Sequence, residues 1–330
     1  MKWLALIAGV IGLVGFLYFS MTERPFSIVS PISVNTPVET PLRAYTIDAL
    51  GQRSVSPSAI TLGDSIETAE TYVVRPFYFT SDNKKVSGIA HIPLGNGPFP
   101  VIVQFRGYVD PTIYYPGLGT KRSAEVFAKN GFISLAPDFL GYAESDPLSN
   151  NIFLDRFETY TTALTLLASV SQFPRADSSN VGIWGHSNGG QIAITVLEAT
   201  QKAIPTTLWA PVTKPFPYSI LYYTDDADDH GKFLRKELAK FESLYDVELY
   251  SLTNYIDRLS GSIQLHQGWQ DDAVPIAWND TFVQKLKSAG KDVTYYSYPS
   301  ADHNMTPDWE TVVKRDMEFF KKHLKNRSTL

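Results

Sequence analysis

The residues with the clearest chemical potential form a short segment at 185–189, which reads Gly-His-Ser-Asn-Gly. An apolar, strand-like run at 181–184 precedes it, and an apolar pattern with helical spacing follows at 192–197. This context predicts that Ser187 stands on a sharp strand-to-helix turn, with its hydroxyl free to attack an acyl carbon. The backbone N–H of Asn188 then lies at the start of a helix, where it can donate to a developing oxyanion.

A nucleophilic serine needs a base and an acid, and two later loops supply both residue types. Asp271 and Asp272 follow a predicted strand at 262–266, and His303 follows another at 293–298. Because the carboxyl ends of parallel strands meet at one edge of a sheet, both loops should reach the crevice that holds the serine. The order serine, acid, histidine is that of the α/β hydrolases and differs from that of chymotrypsin and subtilisin.

The remaining requirement is a second donor to the oxyanion. The loop Arg106-Gly107-Tyr108 follows a predicted strand at 101–105 and can present the N–H of Tyr108 beside the serine. In this scheme His303 takes the serine proton and passes it to the leaving group, while the acid holds the imidazole in the right tautomer. The chemistry implies no metal and no organic cofactor.

The elements that must position these residues alternate between strand and helix. This alternation predicts an α/β fold with a mostly parallel sheet, helices on both faces and an antiparallel hairpin at the start. The predicted strands lie at 72–80, 86–92, 101–105, 132–136, 181–184, 206–210, 262–266 and 293–298, and the main helices at 121–129, 154–170, 278–288 and 309–324. A longer segment at 213–250 is expected to form a small lid insertion.

Composition removes several classes of function. The chain has 330 residues, a formal net charge of −5 and no cysteine. The acidic balance gives no reason to expect nucleic acid as a partner. The absence of cysteine excludes disulfides, thiol catalysis and zinc–thiolate sites. The sequence leaves the oligomeric state open.

The N-terminal residues 1–22 contain an apolar run from Trp3 to Phe19 without any charge. Its length is close to the lower limit for a membrane-spanning helix, and no small-residue cleavage site follows it. We therefore expect a transmembrane anchor, or uncleaved signal, that holds the catalytic domain outside the cytoplasm; the alternative is a cleaved signal and a secreted enzyme. Residues 23–70 are expected to form a Pro-rich tether and N-terminal extension, and the catalytic domain to occupy 71–330.

Residues 72–325 resemble the α/β-hydrolase superfamily, and within it the catalytic domain of prolyl-oligopeptidase-type (S9) serine peptidases and related acyl esterases. The resemblance is carried by the elbow at 185–190, by the acid loop at 266–275, which has one extra residue, Gln267, by Asp302-His303 and by the turn at 137–146. It implies that Ser187 is the nucleophile, Asp271 rather than Asp272 the acid, and His303 the base.

Two departures from the family pattern bear on function. Arg106 stands where the family has a histidine in the oxyanion loop, although the donor there is a backbone N–H. The 70 or so residues before the hydrolase do not encode the β-propeller that gates many S9 peptidases.

The motifs predict a serine hydrolase that cleaves peptide or ester bonds in a short peptide or a small ester through an acyl-enzyme. The alternatives are a carboxylesterase and, from another class, an inactive hydrolase fold used as a binding module. Within the lid segment, Tyr218, Tyr222 and Tyr223 are candidates to line a substrate pocket, although they would equally pack the lid onto the domain.

Overall fold

The computed structural model describes residues 39–224 and 227–324. Ten strands in this part of the chain form one sheet with the order β1-β3-β4-β6-β5-β7-β8-β9-β10, and β2 pairs with β3 at the edge. Their bounds are β1 Thr61–Leu62, β2 Glu67–Thr68, β3 Tyr72–Ser81, β4 Lys84–Pro93, β5 Phe99–Phe105, β6 Ile133–Pro137, β7 Ala176–His186, β8 Thr206–Trp209, β9 Ile263–Gly268 and β10 Val293–Tyr298.

The sheet has an antiparallel part and a parallel part, as predicted. Strands β3 and β4 form a hairpin, and β4 pairs antiparallel with β6. From β6 onward every pair is parallel, through β5, β7, β8, β9 and β10. The strands β5, β7, β9 and β10 therefore end at the same edge of the sheet, which brings the loops after them together.

Eight α-helices are described, with bounds α1 Ile47–Gln52, α2 Lys121–Lys129, α3 Ile152–Ser169, α4 Asn188–Thr200, α5 Tyr218–Leu221, α6 Lys232–Glu242, α7 Ile276–Ser288 and α8 Trp309–His323. They cover both faces of the sheet because adjacent strand residues point to opposite sides. Ile183 packs in the core beneath α3, α4 and α7, whereas its neighbour Trp184 packs in a second core with Phe127 of α2 and Phe320 of α8.

The described part of the N-terminal extension packs on the domain. A 3₁₀ helix at Pro41–Tyr45 leads into α1, and Leu42, Ile47 and Leu50 are all buried in the core. The compact unit begins at Thr40, so the domain boundary expected at residue 71 lies inside it. These residues are held in place because the Tyr250 hydroxyl donates to the Leu42 carbonyl at 3.0 Å.

The insertion at 213–250 contains α5 and α6 and packs on the domain through aromatic rings. Phe216, which is buried, contacts Phe153 and Phe157 of α3 as well as Phe241 of α6. Tyr250 stacks on Phe157 with ring centroids 5.0 Å apart. The base of the insertion is therefore part of the hydrophobic core.

The expected anchor at residues 1–22 and the first part of the tether lie outside the described residues. Within residues 39–224 and 227–324, no helix combines the length and the apolar character needed to cross a bilayer.

Candidate active site

Ser187 lies between the last residue of β7 and the first residue of α4, as the sequence predicted. Its backbone has φ 55° and ψ −119°, a conformation that residues with a side chain rarely adopt. Hydrogen bonds on both sides hold it there: the Ser187 N–H donates to the Trp209 carbonyl at 2.9 Å, and its carbonyl accepts from the Val212 N–H at 3.0 Å. A strained turn of this kind, fixed by its neighbours, is typical of functional sites.

Glycine on each side of the serine makes this turn possible, because a side chain would not fit at either position. A Cβ at Gly189 would lie 1.9 Å from the Phe105 carbonyl oxygen, and one at Gly185 would lie 2.8 Å from the Gly189 carbonyl oxygen. The turn therefore requires glycine on both sides of Ser187, and α4 begins directly against the end of β5.

Asp271 lies in the loop after β9, and its side chain is fully buried. One carboxylate oxygen, Oδ1, accepts hydrogen bonds from the N–H groups of Ala273 and Val274, at 2.9 and 2.7 Å. The other, Oδ2, accepts from the side-chain amide of Gln267 at 3.0 Å. Burial on its own raises the pKa of this carboxyl, but its bonds to His303, Val274 and Gln267 outweigh burial and hold the pKa below its usual value.

Gln267, the extra residue of the acid loop, belongs to a buried chain of amides. Its Nε2 also donates to the carbonyl groups of Gly268 and Val274, and its Oε1 accepts from Asn279 Nδ2 at 2.5 Å. Asn279 Oδ1 in turn accepts from the Thr213 hydroxyl at 2.9 Å. These neutral dipoles orient the Asp271 carboxylate without adding a charge beside it.

His303, in the loop after β10, contacts the Asp271 carboxylate through Nδ1, at 3.0 Å from Oδ1 and 2.9 Å from Oδ2. Because the carboxylate only accepts, Nδ1 carries the hydrogen and a neutral ring keeps Nε2 as an acceptor. Within the described residues, no hydrogen bond links the Ser187 hydroxyl to His303. Such bonds are often long in enzymes without substrate and tighten when it binds.

His186, inside the elbow, connects the nucleophile segment to the histidine loop. Its Nε2 lies 3.0 Å from the His303 carbonyl oxygen, and the two imidazole rings are 4.6 Å apart. Burial and the nearby His303 lower the pKa of His186 to about 4, so its ring is neutral at physiological pH. Nε2 must then carry the hydrogen, since a carbonyl can only accept.

The loop after β5 passes directly over the nucleophile. A Cβ on Gly107 would lie 3.1 Å from the Ser187 Cβ, which places the backbone that leads to Tyr108 next to the serine. The Tyr108 side chain itself is exposed. Only its backbone is therefore available as a rigid part of the site.

Arg106, which replaces the family's histidine, holds this loop. The guanidinium is buried against the rings of Tyr142 and Tyr114, at 4.0 and 4.5 Å from their centroids. It donates to the carbonyl oxygens of Gly107 and Asp138, at 2.9 and 2.8 Å. Arg106 thus fixes the path of the loop through contacts that a histidine is too short to make.

A cavity of about 210 Å³ opens beside the elbow. The β6–α3 loop and the first turns of α3 and α4 form most of its wall, and its lining includes Leu140, Tyr142, Arg156, Asn188 and Ile192. Sequence analysis missed this wall, because nothing in the pattern of a long amphipathic helix marks Arg156 as different from a surface arginine.

None of the three candidate pocket tyrosines is among the described residues that line this cavity. Tyr222 and Tyr223 pack edge-on against Trp278, and the Tyr223 hydroxyl donates to the Ala273 carbonyl at 2.9 Å. Tyr218 is exposed. They brace the acid loop and cover the lid surface because the insertion follows β8, on the acid side of the elbow. Asp272, the neighbour of Asp271, is exposed.

A nucleophile elbow on the central strand of a mostly parallel sheet, with acid and histidine loops at the ends of later strands, defines an α/β hydrolase. Residues 120–327 match the model of the prolyl oligopeptidase family, and the chain therefore belongs to that family. It is a serine hydrolase with peptidase or esterase activity, as the sequence predicted.

Individual relatives are distant. The chain is 28% identical over 175 residues to a Schizosaccharomyces pombe protein named as a dipeptidyl aminopeptidase, a match that covers 52% of this chain and only 20% of that relative. It is 22% identical over 244 residues to an uncharacterized peptidase of Bacillus subtilis, covering 72% of this chain and 89% of the relative. Acetyl xylan esterase 1 from Thermoanaerobacterium shares the fold, with a TM-score of 0.63, 18% identity and coverage of 85% of this chain and 93% of the esterase.

Proposed function

We propose that Ser187, Asp271 and His303 are the catalytic triad of this hydrolase. The observation that carries the proposal is the pairing of His303 Nδ1 with a fully buried, multiply hydrogen-bonded Asp271, on loops that end beside the elbow. His303 Nε2 accepts the hydroxyl proton as Ser187 Oγ attacks the acyl carbon, and Asp271 stabilises the imidazolium that forms. His303 then gives the proton to the leaving group, and water releases the acyl group by the same steps.

The tetrahedral intermediate places a negative charge on the former carbonyl oxygen. We assign its stabilisation to the backbone N–H groups of Asn188 and Tyr108. Asn188 is the first residue of α4, where the N–H groups of the helix point toward the crevice. Two contacts support Tyr108 as an oxyanion donor: Gly107 lies close to Ser187, and Arg106 donates a hydrogen bond to the Gly107 carbonyl.

Replacement of Ser187 by alanine tests the nucleophile. Activity should fall on the order of 10⁴-fold or more, while the fold is retained because only one hydroxyl is removed from the turn. The matched control is Ser179→Ala, which removes an exposed hydroxyl on the same strand, β7. Turnover close to that of the wild type in Ser187→Ala, with a normal thermal unfolding curve, would exclude Ser187 as the nucleophile.

Small carboxylic esters are the substrates that the site favours. The cavity beside Asn188 is limited in size, and the charged residues among its lining are Arg106, Arg156 and Asp155, which leave it with a net positive charge. A cationic wall disfavours the free N-terminal ammonium of a peptide that is cleaved near its amino end. Membership in a peptidase family supports the second candidate, hydrolysis of peptide bonds with a blocked or distant amino terminus.

A substrate panel separates these two candidates. The wild type and Ser187→Ala are assayed with p-nitrophenyl esters of increasing acyl length and with aminoacyl and prolyl p-nitroanilides. We expect hydrolysis of the esters at rates well above those of the anilides. Efficient cleavage of the anilides with little ester hydrolysis would instead assign the chain to the peptidases of its family.

We further propose that the run from Trp3 to Phe19 anchors the enzyme in a membrane, with its catalytic domain outside the cytoplasm. The support is the length and apolar character of that run. Full-length protein should fractionate with membranes, whereas a chain that begins at Thr40 should be soluble and active. A domain that survives protease added to intact cells but is digested after lysis would place it in the cytoplasm. A mature chain beginning after Ser20 would show a cleaved signal and a secreted enzyme.

A further inference from the structure

The cavity beside the elbow lies on the acyl side of the reaction. A leaving group must lie near His303, because that residue gives it a proton. The cavity instead shares Asn188 and Tyr108 with the oxyanion site, and residues of the acid and histidine loops are not among those that line it. The group attached to the carbonyl carbon, which becomes the acyl part of the acyl-enzyme, therefore points into this cavity.

Arg156 has unused hydrogen-bonding capacity in this cavity and, unlike Arg106, its guanidinium donates to no backbone carbonyl within the described residues. Its guanidinium makes one bond, from Nη2 to the Gln191 Oε1 at 2.5 Å. Its Nε is buried and has no acceptor among the described residues, and no carboxylate in that part of the chain forms an ion pair with it. A desolvated donor on a charged group is costly unless a partner arrives, and a ligand can supply that partner.

The other charged groups of the cavity are already bound. Arg106 also has a buried Nε without an acceptor among the described residues, but its two Nη groups donate to backbone carbonyls and its guanidinium lies against two rings. Asp155 accepts from the Ser149 N–H at 2.7 Å. Arg156 thus provides an excess positive charge in a wall that is otherwise largely apolar, with Phe139, Leu140 and Ile192 around it.

We propose that Arg156 binds a carboxylate at the far end of the acyl group, so that the enzyme prefers half-esters of dicarboxylic acids or acyl groups with an acidic side chain. This inference rests on the proposed ester hydrolysis and names its substrate class. The planar guanidinium suits a carboxylate, which can accept from its two terminal nitrogens together. The apolar wall contacts the methylene groups between that carboxylate and the carbonyl carbon.

The test uses pairs of ethyl esters of equal acyl length, one anionic and one neutral. Ethyl hydrogen succinate, glutarate and adipate are compared with ethyl butanoate, pentanoate and hexanoate, and hydrolysis is followed by pH-stat titration. Charge-assisted hydrogen bonds of this kind correspond to a preference of about 10- to 100-fold in kcat/KM for the best-fitting half-ester. The preference should appear mainly in KM, because the carboxylate is bound equally in the ground and transition states.

Variants of Arg156 show whether the preference depends on that side chain. Arg156→Met should reduce kcat/KM for the half-ester by about 10- to 100-fold more than kcat/KM for the neutral ester of equal acyl length. Arg156→Lys keeps the positive charge but loses the planar pair of donors, so it should retain part of the preference. The matched control is Lys202→Gln, which removes an exposed positive charge beyond the far end of α4, about 20 Å from Asn188.

Thermal unfolding reports on folding in every variant, and hydrolysis of the neutral ester shows whether the triad is still active. Equal rates for anionic and neutral esters in the wild type would overturn the inference and leave ester hydrolysis intact. So would a preference that persists in Arg156→Met. A wild type that hydrolyses neither kind of ester would overturn the proposed ester function and this inference with it.

Discussion

Replacing Asp271 by asparagine removes one negative charge and turns one of its acceptors into a donor. The structure indicates which oxygen is replaced. Oδ1 faces the N–H groups of Ala273 and Val274, so an amide nitrogen there would oppose two fixed donors. The new NH₂ therefore takes the position of Oδ2, where it faces His303 Nδ1 and the amide of Gln267.

This placement forces the wrong tautomer on the histidine. Oδ1 lies 3.0 Å from Nδ1 of His303 but already accepts from two backbone N–H groups, so the new donor at the Oδ2 position favours Nδ1 as an acceptor. The hydrogen then moves to Nε2, which can no longer take the serine proton. The expected loss of turnover is about 10³- to 10⁴-fold, equivalent to about 4 to 5.5 kcal/mol of transition-state stabilisation. The side chain keeps its size and its bonds to Ala273 and Val274, so the fold should survive.

The assay compares kcat of Asp271→Asn and Asp272→Asn on one p-nitrophenyl ester, with thermal unfolding as a check on structure. The neighbouring variant is a close control because Asp272 has the same charge and is exposed. We expect it to stay within about 3-fold of the wild type. If Asp272→Asn loses activity and Asp271→Asn does not, the acid of the triad is misassigned and the reasoning from the Asp271 contacts fails.

Three further predictions follow: two concern residues beside the triad, Gln267 and Gly107, and one concerns a buried acid, Glu198. Gln267→Leu should lower kcat about 10-fold and destabilise the fold by about 2–4 kcal/mol, because the carbonyls of Gly268 and Val274 lose their donor; kinetics and urea unfolding measure both. Gly107→Ala should lower kcat about 10- to 100-fold at unchanged stability, since its Cβ would press on the nucleophile. Glu198→Gln should remove a pH dependence of stability, measured by urea unfolding between pH 4 and 8.

The direction in which Glu198 makes the stability of the fold depend on pH follows from its burial. Glu198 is fully buried and both carboxylate oxygens lack a partner among the described residues. Burial raises its pKa well above the usual 4.5, and the more distant Arg258 only partly offsets this. Stability from this group is thus complete below pH 4.5 and is lost as the pH rises toward the folded-state pKa, by up to about 1.4 kcal/mol per unit. A constant stability difference between wild type and Glu198→Gln across the range would contradict the raised pKa.

For the other two variants, different results would be decisive. Wild-type kcat in Gln267→Leu would mean that the amide chain from Thr213 to Asp271 does not orient the acid. Wild-type kcat in Gly107→Ala would mean that the loop is free to shift away from Ser187, and the assignment of Tyr108 as a donor would lose its support.

The segments that carry Ser187, Asp271 and His303 could be located from the sequence because each is a local signal. The elbow needs glycine on both sides of Ser187 for steric reasons that any chain with this turn must obey. Asp271 and His303 follow strands whose apolar runs are easily recognised, and the parallel sheet brings strand ends together whatever the loop details are. The strand and helix pattern therefore predicted both the fold and the loops that meet.

The cavity beside the elbow could not be found in the same way because it depends on packing between distant segments. Arg156 faces the cavity only because Phe153 and Phe157, on the same helix, turn toward the rings of the insertion. Tyr222 and Tyr223 pack against Trp278, and their role in a pocket wall stays a prediction. The burial of Leu42 and Ile47 could not be predicted either, since a short Pro-containing segment is not long enough to show a periodic pattern of apolar residues.

The most direct test of the central claim is covalent labelling of the nucleophile. The purified protein is treated with a fluorophosphonate, and the adduct is counted by intact mass and located by peptide mapping. The account predicts one adduct per chain, on Ser187, with labelling lost in Ser187→Ala and strongly slowed in His303→Ala because the hydroxyl is no longer activated. Absence of labelling in the folded wild type, or an adduct that persists in Ser187→Ala, would contradict it.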